Sequence, residues 1–249
     1  MKIEFSLHGI VKSYGSLRVL SGVSFAVGRD AIVAVMGPSA CGKTTLLSII
    51  AGLRSAEAGA IEGLNGKTMS YVFQEPRLLD WLTVEENVAL VIEDLFPPAE
   101  VRRRVEAHLE WMGLSAYRHY HPRRLSGGQR QRVAIARALA YPSRILLMDE
   151  PFKSLDLGLK LDLIASFLDS WARAPRTVVC VTHDVKEALL LADEIVMLTR
   201  KPAVVKAIHP MPIPRRERRA DALALLALER EITSALLEEE GRDEGVLDI

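Results

Sequence analysis

A wholly apolar run, Ala31-Ile32-Val33-Ala34-Val35-Met36, leads straight into Gly37-Pro38-Ser39-Ala40-Cys41-Gly42-Lys43-Thr44, and a helix-forming stretch then runs from Lys43 to Ala51 and stops at Gly52. An apolar run of this kind is the pattern of a strand buried on both faces, as inner strands of a parallel sheet are. The turn fits G-x-x-x-x-G-K-[ST], and strand, glycine-rich loop and helix together are the context that this pattern needs. The chain is thereby committed to an α/β sheet with a phosphate site at the C-terminal end of one strand. Backbone N–H groups from Gly37 through Pro38, Ser39, Ala40, Cys41 and Gly42 to Thr44 and Thr45 are expected to face the phosphates, apart from Pro38, which has none. The dipole of the following helix adds positive potential there. Lys43 is expected to reach the β- and γ-phosphates of a nucleoside triphosphate such as ATP, and the Thr44 hydroxyl to ligate Mg²⁺.

Mg²⁺ also calls for a carboxylate, and an attacking water calls for a base. Ile145-Leu146-Leu147-Met148-Asp149-Glu150 supplies both at the end of an apolar strand. Asp149 is expected to hold Mg²⁺, directly or through water, and Glu150 to polarise the water as general base.

Around these motifs the pattern alternates. Residues 3–7, 23–27 and 31–36 read as strands, 145–148, 177–181 and 194–198 likewise, and 157–173 and 186–191 as helices. Strands alternating with helices argue for a mostly parallel sheet. The stretch 84–140 breaks the alternation. It opens on Thr83-Val84-Glu85-Glu86, a capping box, is broken at Pro97-Pro98, and continues through helices at about 99–112 and 129–140. The expected organisation is a nucleotide-binding core of 1–83 and 141–212, an inserted helical subdomain of 84–140, and a helical tail of 213–249. In the tail, Leu225, Leu228, Ile232 and Leu236 recur with helical spacing, as expected of a helix docked on its own domain, the alternative being a contact with another chain.

Leu125-Ser126-Gly127-Gly128-Gln129 is a polar, glycine-rich opening to a helix, which makes a second anion site. Here the chain resembles the ATP-binding cassette (ABC) ATPases, whose signature is LSGGQ. Further elements fall in that family's order over about residues 3–205, and the resemblance implies a role for each. It implies that Tyr14 stacks on adenine, that Gln74 senses Mg²⁺ and water, and that Ser126, Gly127, Gly128 and Gln129 contact the γ-phosphate held by the opposite subunit. Ser154-Leu155-Asp156 matches the loop that crosses the dimer interface, and His183 matches the histidine that contacts the γ-phosphate. The fold it implies is a P-loop NTPase with a mostly parallel core sheet, an N-terminal antiparallel β part and the inserted helical subdomain. Two copies then close around two nucleotides. There are two departures from the pattern. Ala40 stands where the family more often has Gly, which costs roughly 1 kcal/mol if φ is positive there. Lys153 stands where Gly is frequent, and the sequence offers no reason for it.

Val72 to Val84 closely resembles the same region of ATPases from importers of the nitrate, sulfonate and taurine type. That implies a permease partner and, through it, a solute-binding protein, with the chain peripheral at the cytoplasmic face of the inner membrane. Leu78, Leu79, Trp81 and Leu82 are expected to be exposed and to form a groove for a permease helix. An exporter subunit and a soluble, non-transport cassette are the alternatives. Lys plus Arg (32) equals Asp plus Glu (32), which gives no reason to expect a nucleic-acid partner. The chain holds two cysteines, Cys41 and Cys180, too few for a disulfide framework. No apolar run approaches the roughly 20 residues needed to cross a bilayer, and the first residues lack a leader's basic start and apolar run.

Overall fold

Two long strands, β1 (Ile3–Tyr14) and β2 (Leu17–Gly28), are joined at Gly15 and Ser16 and pair antiparallel in the computed structural model. The structure describes residues 2–153, 155–218 and 223–241. Next come β3 (Ile32–Met36), α1 (Lys43–Ile50), β4 (Ala58–Glu62) and β5 (Met69–Val72). The helical stretch holds α2 (Val84–Ala89), α3 (Pro98–Trp111) and α4 (Gly127–Ala140). After it come β6 (Ile145–Asp149), α5 (Leu157–Arg173), β7 (Thr177–Val181), α6 (Val185–Leu191), β8 (Glu194–Leu198), β9 (Val205–Pro210) and α7 (Leu223–Gly241). The expected fold class, an α/β chain with a mostly parallel sheet and an antiparallel N-terminal part, is what the chain adopts.

The residues fall into two units, Met1–Gly66 with Thr177–Ile249, and Lys67–Arg176. In the first, β1 lies between β2 and β4 in an antiparallel sheet. A second sheet there has β3 at its centre, parallel to β7 on one side and β8 on the other, with β9 antiparallel outside β8. All five residues of β3 and all five of β7 are buried, which is why both read as unbroken apolar runs rather than alternating ones. The helix α7 packs Leu225 and Ile232 onto a cluster of Ala34, Met36, Ala188, Ile195 and Met197, with Leu228 and Leu236 partly buried against it. The tail helix is thus docked on its own unit. Lys206 of β9 fastens it, donating to the Ala235 carbonyl oxygen at 3.1 Å and lying 2.9 Å from Glu239.

In the second unit β5 and β6 pair in parallel. The capping box is formed: Glu86 N donates to Thr83 Oγ1 at 3.3 Å and Thr83 N to Glu86 Oε2 at 2.6 Å. The helix it opens is short, ending at Ala89 rather than at the two prolines, because Ile92 N and Leu95 N turn back to carbonyls only three residues earlier. Buried Arg176 holds the end of α4, donating to the carbonyl oxygens of Leu139 and Tyr141 at 3.1 and 2.9 Å. Among the described residues no helix is long and apolar enough to cross a membrane.

Candidate functional site

The phosphate loop occupies the turn between β3 and α1 in the first unit, and its backbone tolerates little substitution. A Cβ on Gly42, whose φ is 118°, would lie 2.7 Å from Val19 Cγ1 and 2.9 Å from Leu20 Cδ2. One on Gly37 would lie 2.8 Å from the Leu198 carbonyl oxygen. Both glycines let the loop settle onto β2 and β8. Ala40 has φ of 58°, the left-handed region, so the cost expected for a side chain there applies. Pro38, Cys41, Gly42 and Lys43 are buried, Ser39, Ala40 and Thr44 exposed, and Thr45 half-buried. Lys43 Nζ donates to the carbonyl oxygens of Gly37 and Pro38, both at 2.8 Å. No acidic residue stands in the first turn of α1, so the positive end of its dipole is left for an anion. Burial pushes the Cys41 thiol pKa up, against the opposing pull of the Lys43 ammonium, so this thiol is not poised as a nucleophile.

The same unit carries Tyr14 and His183. Tyr14 ends β1 and is 41% exposed, with the Arg54 guanidinium 5.4 Å and Lys12 Nζ 5.5 Å from its ring centroid. His183 is exposed two residues beyond β7. Its neighbours fix it: Thr182 Oγ1 donates to buried Glu187 at 2.5 Å, and Asp184 caps α6 by accepting from Lys186 N at 2.9 Å.

The remaining candidates belong to the second unit. Asp149 is the last residue of β6 and is buried, and Glu150 follows it with φ of 44°. Lys153 Nζ lies 2.6 Å from Glu150 Oε2, a pairing that spacing alone did not disclose. Ser126 caps α4, accepting from Gln129 N at 3.2 Å while Ser126 N donates to Gln129 Oε1 at 2.9 Å. That box holds Gly127 at an exposed helix start with no acidic residue in its first turn. A Cβ on Gly128 would sit 3.2 Å from Leu155 Cδ2. Asp156 caps α5, accepting from Leu159 N at 3.0 Å, and Ser154 lies outside the described residues.

Gln74 is exposed just beyond β5, at the head of a loop bound to two helices. Arg137 of α4 donates to the carbonyl oxygens of Pro76 and Arg77, both at 3.0 Å. Buried Asn87 of α2 bonds to both the N–H and the carbonyl of Leu79, and to the carbonyls of Leu82 and Thr83. This corrects the expectation of an exposed apolar groove. Leu78, Leu79 and Leu82 are half-buried, because Asn87 draws the loop down onto α2, and only Trp81, at 72%, stands out. Neither Arg137 nor Asn87 could be singled out from sequence, since each is one polar residue among many on a helix.

The family model described as "ABC transporter" matches residues 20–153. The chain is 39% identical over 218 residues to an aliphatic sulfonates import ATP-binding protein of Pseudomonas syringae pv. syringae, covering 86% of this chain and 89% of that one. It is 42% identical over 217 residues to a sulfate/thiosulfate import ATP-binding protein of Methylococcus capsulatus, covering 80% and 60%. A solved dimeric ATP-binding cassette in a post-hydrolysis state, bound to ADP and Pi, superposes with a TM-score of 0.73 at 29% identity, covering 84% of this chain and all of that one.

Proposed function

The chain belongs to the ABC transporter family, and from that premise we propose that it is the ATP-binding and ATP-hydrolysing subunit of an importer of small solutes of the nitrate, sulfonate and taurine group. The observation that carries the reading is the exposed start of α4, where Ser126 and Gln129 form a capping box around two glycines. With α1 already offering one anion site, α4 offers a second, and two copies related by symmetry bring each copy's second site to the other's nucleotide.

In this mechanism Tyr14 stacks on adenine and the loop 37–45 receives the phosphates. Lys43 exchanges the carbonyls of Gly37 and Pro38 for phosphate oxygens. The Thr44 hydroxyl, the Asp149 carboxylate and the Gln74 amide are hard oxygen donors of the kind Mg²⁺ takes, and they are the residues that would hold it. Bound there, Mg²⁺ would supply charge neutralisation. Glu150 accepts the proton of the attacking water, and His183 contacts the γ-phosphate. The second copy closes the site with Ser126, Gly127, Gly128 and Gln129, and Asp156 lies in the loop that crosses between copies. Binding closes the pair and hydrolysis releases it. The helical segment 84–140 transmits that motion to a membrane permease. The permease receives solute from a binding protein and keeps this chain at the cytoplasmic face of the membrane. The names of the relatives, both import proteins, support import over export.

The test is the solution mass of Glu150→Gln with and without ATP. Removing the base traps the closed pair, so the mass rises from 27.6 kDa to twice that when ATP is added. A variant that binds ATP and remains at the mass of one chain overturns the proposed clamp.

A further inference from the structure

We propose that Lys153 is a positioning residue for Glu150, holding the water-activating carboxylate in one orientation. The inference rests on Glu150 being the base.

The local chain forces the two together. Pro151 follows Glu150 at the position where turns favour proline, and Lys153 N donates back to the Glu150 carbonyl oxygen at 3.2 Å, closing the turn. Phe152 anchors it: the side chain is fully buried, edge-on to Phe167 with ring centroids 6.5 Å apart. Glu150 itself, at φ of 44°, is in a region that side-chain-bearing residues rarely adopt. With the backbone fixed at these points, the side chain at position 153 returns over the one at position 150. Its ammonium meets Glu150 Oε2 at 2.6 Å. A glycine at 153 would close the same turn and leave the carboxylate without this partner.

The pair is ill-suited to a stabilising role. Lys153 is 43% exposed and Glu150 15% exposed, and ion pairs open to water on one side add little to folding. Its effect falls instead on the carboxylate, which has three side-chain torsions and must lie within hydrogen-bond reach of a water to take its proton. An ammonium 2.6 Å from Oε2 removes much of that freedom. Arg carries the same charge on a side chain of similar reach, so it can substitute, whereas the isosteric but neutral Met cannot.

The test is steady-state ATP hydrolysis by the full chain with Mg²⁺, read as kcat and KM separately, alongside melting temperature. Lys153→Met is expected to lower kcat about tenfold with KM within about twofold, since orientation and not nucleotide binding is lost. Melting temperature is expected to be unchanged, and Lys153→Arg to restore most of kcat. Lys153→Gln serves if the Met variant does not fold. In a Glu150→Gln background, Lys153→Met is expected to change the residual rate no further. An unchanged or raised kcat in Lys153→Met, a loss confined to KM, or no rescue by Arg overturns the positioning role while leaving Glu150 as the base. Full turnover by Glu150→Gln alone overturns both.

Discussion

Lys43 Nζ donates to the carbonyl oxygen of Pro38 at 2.8 Å, five residues back along the same loop, and to Gly37 at the same distance. The one cation of the phosphate loop is therefore bonded to the loop's own backbone, and it holds the loop in shape. Phosphate oxygens carry more charge than carbonyls, so exchange favours the nucleotide.

Lys43→Ala removes both the internal tie and the phosphate contact. Titration with a fluorescent ATP analogue is expected to show affinity reduced about 100-fold or more, the worth of one to two charge-assisted bonds. A loss below tenfold would take Lys43 out of the role assigned to it.

Ala40→Gly tests the strain at φ of 58°. Relief of the left-handed penalty, partly offset by the added freedom of glycine in the unfolded chain, leaves a gain of about 0.5 kcal/mol. Urea unfolding measures it, and a loss of stability would mean that the loop is at ease with alanine.

Asn87→Ala is expected to cost about 2 kcal/mol, because Asn87 is fully buried and its removal takes away the partner of the Leu79 N–H and of the Leu82 carbonyl, while the Leu79 and Thr83 carbonyls keep backbone N–H donors. The cost has a local signature in faster proteolysis between Leu79 and Thr83. Equal cleavage in the two proteins would show that the loop is held by other means.

His108 supplies a pH dependence. Burial lowers its pKa, with the Arg176 and Arg104 charges acting in the same sense, while the Arg104 carbonyl, 2.7 Å from Nδ1, opposes it. The folded state keeps the ring neutral, and the unfolded chain takes up a proton near the ordinary value of about 6.5. The contribution is therefore complete above that pH and is lost as pH falls below it. Between pH 7 and pH 5 the parent is expected to lose up to about 2 kcal/mol more than His108→Gln. Parallel stability curves for the two would mean that His108 protonates as readily folded as unfolded.

Legibility from sequence followed how locally each feature is determined. The glycine pattern at 37–42 and the Thr83–Glu86 box each fix backbone geometry by themselves, and both are evident in the order of the residues alone. The parallel strands are too, because burial on both faces leaves only apolar residues along most of β3, β6 and β7. Strand β4 is not, since Ala58-Gly59-Ala60-Ile61-Glu62 has neither β-branched density nor alternation and is a strand only because β1 pairs with it. The pairing of Lys153 with Glu150 depends on a positive φ at a non-glycine residue, and the depth of Leu79 and Leu82 depends on one amide eight and five residues away. Neither leaves a periodic trace.

The antiparallel β9 has a further consequence for how the protein behaves in crowded solution. Without it the margin of its sheet would be β8, whose Ile195-Val196-Met197-Leu198 is buried, neutral and rich in strand formers. Such a margin is a template on which other molecules add and build fibrils. β9 covers that margin and ends on Pro210, which has no N–H to offer an incoming strand, while Lys206 and His209 tie it to Glu239 and Glu231 of α7. Colloidal stability at high concentration is thus written into six residues outside the phosphate loop.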